Sequence, residues 1–99
     1  MEQLKRINEM EQRMNRASTA VMELSAALDK YLEAQEALAA LNTYYGSSDW
    51  KQDFAADEQG LLPPDLKRGV LSEDGIWNLL ADNRELMERM KDTVNNPVT

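Results

Sequence analysis

The chain has 99 residues and carries 11 Lys and Arg against 18 Asp and Glu, a formal charge of -7 at neutral pH. Cysteine and histidine are both absent. Disulfides, zinc fingers, thiol nucleophiles, serine–histidine dyads and metal sites built on His or Cys are therefore excluded.

A chain of this length suits one small domain over residues 1–99, which buries only about two thirds of its unfolded surface. The acidic balance speaks against nucleic acid as a partner, because both duplexes and single strands are held through a basic footprint. Residues 1–10 contain no apolar run of a secretory leader, and no window approaches the roughly 20 apolar residues of a membrane span. The expectation is a cytoplasmic protein with no membrane partner. Charge is spread along the chain with neither an acidic tail nor a basic arm, so it reads as a solubility feature.

Residues 2–44 contain no Gly and no Pro and are rich in Ala, Leu, Met, Glu and Gln, all strong helix formers. Apolar residues recur every seven positions in two series, one of Ile7, Met14, Val21 and Leu28, the other of Met10, Ala17, Leu24, Tyr31, Leu38 and Tyr45. These are the a and d positions of a coiled-coil seam. The first series gives way to Gln35 and Asn42, with Leu32 and Leu41 beside it, as happens when a 3.6-residue helix drifts against a 3.5-residue stripe. One helix is predicted over about 2–44, roughly 63 Å if unbroken. Residues 16–20, with small and β-branched side chains around Ser18, are where a bend would be easiest.

Gly46 suits a left-handed residue after that helix. Ser47 is an N-cap for a short helix over about 48–58, which places Trp50 and Phe54 on one face. Gly60 is its terminator. The loop 59–71 holds Leu61-Leu62-Pro63-Pro64, which cannot continue a helix, and a turn at Asp65-Leu66-Lys67-Arg68-Gly69. Ser72 is the predicted N-cap of a last helix over about 73–94, with Glu73 and Asp74 at the positive end of its dipole. Ile76, Trp77, Leu79, Leu80, Leu86, Met87, Met90 and Val94 recur at helical spacing. Gly75 reads as a weak point there, worth up to about 1 kcal/mol relative to Ala. Asn95-Asn96-Pro97 ends the helix, and the tail 95–99 should fray.

Together these elements predict an all-α fold, a long antiparallel helical hairpin with a short helix and a Pro-containing loop in its connector. The last helix, at roughly 33 Å, covers about half of the first. Leu4, Ile7, Met10, Met14 and Val21 are then left as an apolar seam, which is rarely left in water. The expectation is self-association through the first helix into a homodimer. The competing remedy is a bend near Ser18 that folds the N-terminal half back on its own chain.

Tyr44, Tyr45, Trp50 and Phe54 cluster around the turn, with Trp77 opening the last helix. They read as a small core completed by Leu61, Leu62, Leu66 and Leu71, or as a pocket for a partner or ligand. Asp49, Asp53 and Asp57 form a carboxylate stripe beside Glu58 that could hold magnesium or calcium. It reads first as a solvated acidic face, with Lys67 and Arg68 as counter-charge. Glu33 with Glu36 and Glu85 with Glu88 are two E-x-x-E pairs; helical nucleotide pyrophosphohydrolases bind magnesium with E-x-x-E and E-x-x-D on facing helices, and Glu88 stands where that pattern has Asp. With no histidine to activate Ser47, Ser48 or Ser72, no catalytic residue is named and no cofactor is expected.

The strings Tyr44-Tyr45-Gly46-Ser47, Trp50, Asp53, Ala56-Asp57-Glu58, Leu62-Pro63, residues 65–74 (DLKRGVLSED) and Asn83-Arg84-Glu85-Leu86 resemble a family of short bacterial helical proteins known only as a domain of unknown function. The resemblance covers nearly the whole chain and is most specific from Tyr44 to Asp74. It implies a helical fold and no established activity. Tyr45-x-x-x-Asp49 also fits the export signal of small secreted helical hairpins, but their W-x-G turn is absent, since Lys51 and Gln52 follow Trp50. The reading that results is a non-enzymatic structural or protein-interaction module that self-associates through the first helix and offers an acidic surface to a protein partner. The alternatives are a metal-dependent helical hydrolase using Glu33, Glu36, Glu85 and Glu88, and an exported helical hairpin.

Overall fold

The computed structural model describes residues 1–96. The protein is all-α, with four helices and one 3-10 turn and no strand among the described residues. In chain order these are α1 (Glu2–Glu33), α2 (Gln35–Tyr45), α3 (Ser48–Glu58), the 3-10 turn Gly69–Leu71, and α4 (Gly75–Asn95). The expected fraying of residues 97–99 lies outside the described residues. Two units are distinguished, Met1–Glu36 and the remainder from Ala37 onward.

In the first unit, α1 runs without interruption through Ser18 and Thr19. The stretch where a bend would be easiest carries no break, because Ala17 and Ala20 carry the helix across two weaker residues and an interior break would forfeit several cooperative hydrogen bonds. The interruption of the predicted 2–44 helix falls at Ala34 instead, with φ -80° and ψ -6°. Its N–H is shared between the carbonyls of Lys30 and Tyr31, each 3.1 Å away. The Gln35 side-chain amide also donates to the Tyr31 carbonyl at 3.5 Å. One carbonyl thus draws two donors, and the turn tightens locally toward 3-10 geometry. No residue of α1 is buried, and residues 1–30 are all exposed.

In the second unit a single serine joins two helices. The Ser47 hydroxyl donates to the Tyr44 carbonyl at the end of α2, 2.6 Å away. Its oxygen accepts the Trp50 N–H at the start of α3, at 3.2 Å, the N-cap bond expected of serine. Gly46 does not take the left-handed conformation expected of it. Its N–H still reaches back to the Asn42 carbonyl at 3.4 Å, so the helix ends without a reversal. The glycine with positive φ is Gly60, at 70°. There the Leu61 N–H binds the Ala56 carbonyl and the Gly60 N–H binds that of Asp57, at 3.0 and 3.1 Å. This pair of bonds is the Schellman closure, and it requires a residue tolerant of φ > 0.

The core of the second unit is small and sits where the 3-10 turn meets α4. Leu71 is 6% exposed and Ile76 is 3% exposed. Both α3 and α4 pack on the 3-10 turn. Helix α4 begins two residues later than predicted, at Gly75, with Asp74 at its N-cap position and Ser72 two residues ahead of it. The Ser72 hydroxyl donates to the Gly69 carbonyl at 2.8 Å and accepts the Gly75 N–H at 3.1 Å. The helical ladder then opens with Asn78 N–H on the Asp74 carbonyl at 2.8 Å.

Candidate functional site

The densest side-chain arrangement lies on α3 and the connector. Trp50 stacks on Phe54 with ring centroids 5.1 Å apart, and meets Tyr45 edge-on at 5.0 Å. The i, i+4 spacing on α3 puts the two stacked rings on one face. The Trp50 indole N–H donates to the Val70 carbonyl at 2.9 Å, tying α3 to the 3-10 turn twenty residues on. Arg68 provides a second tie. Its guanidinium pairs with the Asp57 carboxylate and donates to the Pro63 carbonyl at 2.7 Å. A third, longer bond at 3.4 Å reaches the Leu66 carbonyl. One planar fork thereby holds both ends of the Pro63-Pro64 bend against the last turn of α3.

Tyr44 adds a polar edge. Its hydroxyl donates to the Asp53 carboxylate at 2.6 Å. That bond to the protonated phenol pushes its pKa from 10.0 up to about 12, with burial and the nearby charges of Asp53 and Asp49 acting the same way. The raised value means the bond contributes its stability in full below pH 10 and loses it as pH rises through about 12. Tyrosinate absorbance should therefore show a component titrating near pH 12 that is missing in Tyr44→Phe. In Asp53→Ala that component should return toward 10. A Tyr44→Phe titration identical to the parent would show that another phenol is responsible.

The carboxylates proposed for a metal are placed differently. No group of three or more His, Cys, Asp or Glu side chains that could hold an ion occurs among the described residues. Of the α3 stripe, Asp53 is engaged by Tyr44 and Asp57 by Arg68, while Asp49 is exposed. Glu33 and Glu36 lie at the end of α1 and the start of α2, and Glu85 and Glu88 on α4, all exposed. Of the two expected counter-charges Arg68 is engaged; the Arg68–Asp57 pair is the one salt bridge among the described residues.

Trp77 stands apart from the aromatic stack. It is 55% exposed, and its ring lies under the Arg84 guanidinium at 5.7 Å, one heptad further along α4. Its place in α4 explains this, since Ile76, one residue earlier, takes the buried face. Leu71 and Leu62 are buried and half-buried, whereas Leu61 and Leu66 remain exposed. Arg68 was expected as a counter-charge to the α3 stripe, but its choice of Asp57 and the reach of Trp50 to Val70 were not readable from spacing. The predicted seam residues Leu4, Ile7, Met10, Met14 and Val21 all lie on α1 with about half or more of their surface in water.

These features define a small all-α protein whose most built-up region is an aromatic and ionic clasp around a connector. The chain belongs to the DUF4298 family, described as a domain of unknown function, which it matches over residues 7–93. No curated protein and no solved structure matches it. Among the described residues, no helix is long and apolar enough to cross a membrane.

Proposed function

We propose that this protein is a non-enzymatic structural or interaction module that associates with a second copy of itself through α1. One observation carries the reading. Leu4, Ile7, Met10, Met14, Val21, Leu24 and Leu28 recur along a helix with no buried residue, each between 43 and 68% exposed. Covering the exposed half of one such side chain yields about 1 kcal/mol. Seven from each of two copies supply on the order of 14 kcal/mol, near the top of the roughly 4–15 kcal/mol that association costs. The dimer should accordingly be reversible and concentration-dependent.

Sedimentation or light scattering at increasing concentration tests it, with the mass of the parent rising from one chain toward two. In the double variant Ile7→Asp, Met14→Asp the mass should stay at one chain. Its near-ultraviolet circular dichroism, which reports the Tyr45–Trp50–Phe54 stack, should be unchanged. A double variant that still dimerises would place the contact elsewhere, and a parent that stays monomeric at 200 µM would sink the reading.

A further inference from the structure

Resting on that self-association, we propose that the second copy lies along α1 parallel and in register, and that Arg6 and Glu11 select this orientation. The step of three from Ile7 to Met10 and of four from Met10 to Met14 fixes the heptad letters. Ile7, Met14, Val21 and Leu28 stand at a and Met10, Ala17 and Leu24 at d; β-branched Ile7 and Val21 at a with Leu24 at d favour two strands in a parallel coil, while the orientation is decided at the flanks. The positions flanking the seam then follow. Arg6 and Arg13 are at g and Glu11 is at e. The remaining e and g positions between 18 and 27 are Ser or Ala, so these three are the charged flanks over the free stretch of the helix.

Each orientation brings different flanks together. In a parallel pair, a g residue faces the e residue five positions further along the partner. Arg6 of each copy then meets Glu11 of the other, which makes two opposite-charge contacts per dimer. In an antiparallel pair g faces g and e faces e. Arg then meets Arg or Ala and Glu meets Glu, Ser or Leu, so no register gives an opposite-charge contact. The flanks therefore reward the parallel orientation alone.

The distribution of charge also favours this stretch as the contact between copies. Residues 1–16 carry four basic and three acidic side chains, against seven and fifteen in the rest of the chain. Two acidic copies repel through most of their surface, and least through this segment. The free stretch also has a natural end, because Tyr31 is the first residue from the N-terminus that is not exposed.

The test is a charge-reversal cycle read as a dimer dissociation constant by sedimentation equilibrium at about 50 mM salt. Arg6→Glu and Glu11→Arg should each raise it about 5-fold, as two attractive contacts become repulsive. The double variant Arg6→Glu, Glu11→Arg should return to within about 2-fold of the parent, which a simple loss of helix would not do. In an antiparallel dimer Arg6→Glu would tighten association where Arg6 of one copy faces Arg13 of the other, and leave it unchanged where Arg6 faces Arg6 or Ala. A tightened or unchanged constant therefore overturns the parallel register while leaving self-association standing. A parent that never dimerises overturns both.

The chain lacks cysteine, so a single Gln3→Cys, at a d position, provides an independent measure. Two copies of this variant should oxidise readily to a disulfide-linked dimer in a glutathione buffer, because parallel chains bring the same residue of each copy within disulfide reach. A protein that dimerises but fails to form this crosslink would count against the parallel register alone.

Discussion

Gly75→Ala should destabilise the second unit by about 2–3 kcal/mol, the upper part of the range for forcing an extra methyl into a packed site. That would lower its thermal midpoint by roughly 10 °C or more. A Cβ built at Gly75 lies 2.4 Å from the Ser72 hydroxyl and 2.6 Å from the Gly69 carbonyl oxygen. The hydroxyl could rotate away, but it would then give up both its bond to Gly69 and the cap on Gly75. The Gly69 carbonyl is backbone, and it also receives the Ser72 N–H at 3.3 Å, so it cannot move without reopening the 3-10 turn. From helix propensity alone, the same substitution would stabilise by up to about 1 kcal/mol. The sign of the measured change therefore separates the two accounts. Gly69→Ala is the control. Nothing lies within 4 Å of a Cβ there, and the midpoint should move little. An unchanged or raised midpoint in Gly75→Ala would show that the 3-10 turn is not held as closely as described.

Trp50→Ala should be the most damaging single change in the connector, costing about 3 kcal/mol, the low end of the range for a large aromatic because the ring is only half-buried. It removes the stack on Phe54, the edge contact with Tyr45 and the bond to the Val70 carbonyl together. Trp50→Phe separates these contributions. It keeps an apolar ring on the same face but deletes the indole donor, and should cost about 1 kcal/mol, the usual worth of one hydrogen bond. Chemical denaturation followed by far-ultraviolet circular dichroism would read both. Equal losses in the two variants would mean that the bond to Val70, rather than the rings, holds α3 to the 3-10 turn.

Much of the fold was legible in the residue order because the signals are local. The N-cap at Ser47, the stop at Gly60 and the span of α3 each depend on bonds between residues within five positions of one another. Heptad spacing placed the apolar residues of α1 on one stripe for the same reason. The misreadings have local causes too. Gly46 and Gly60 carry the same propensity, but only at Gly60 does the chain reverse into the Schellman closure. Ser18 and Ala34 exchanged roles as weak points, because the competing Gln35 amide at the Tyr31 carbonyl has no counterpart near Ser18.

The candidate site divides along the same line. The exposed stripe of α1 needs nothing beyond helical periodicity to be seen, and so do the charges at Arg6, Glu11 and Arg13 that flank it. The clasp is different. Asp57 and Arg68 are eleven residues apart and Trp50 and Val70 twenty, separated by a bend whose direction no spacing rule specifies. By itself the sequence determined where α3 runs and, to within two residues, where α4 runs, how α3 is capped and stopped, and which residues of α1 share a face, because hydrogen bonds within a turn or two decide those features. The tertiary structure alone decided that Arg68 closes on Asp57, that Trp77 stays outside the aromatic stack, and that Gly75 serves close packing rather than weakening a helix. Those outcomes depend on where the connector returns the chain, which is set by contacts between residues distant in sequence.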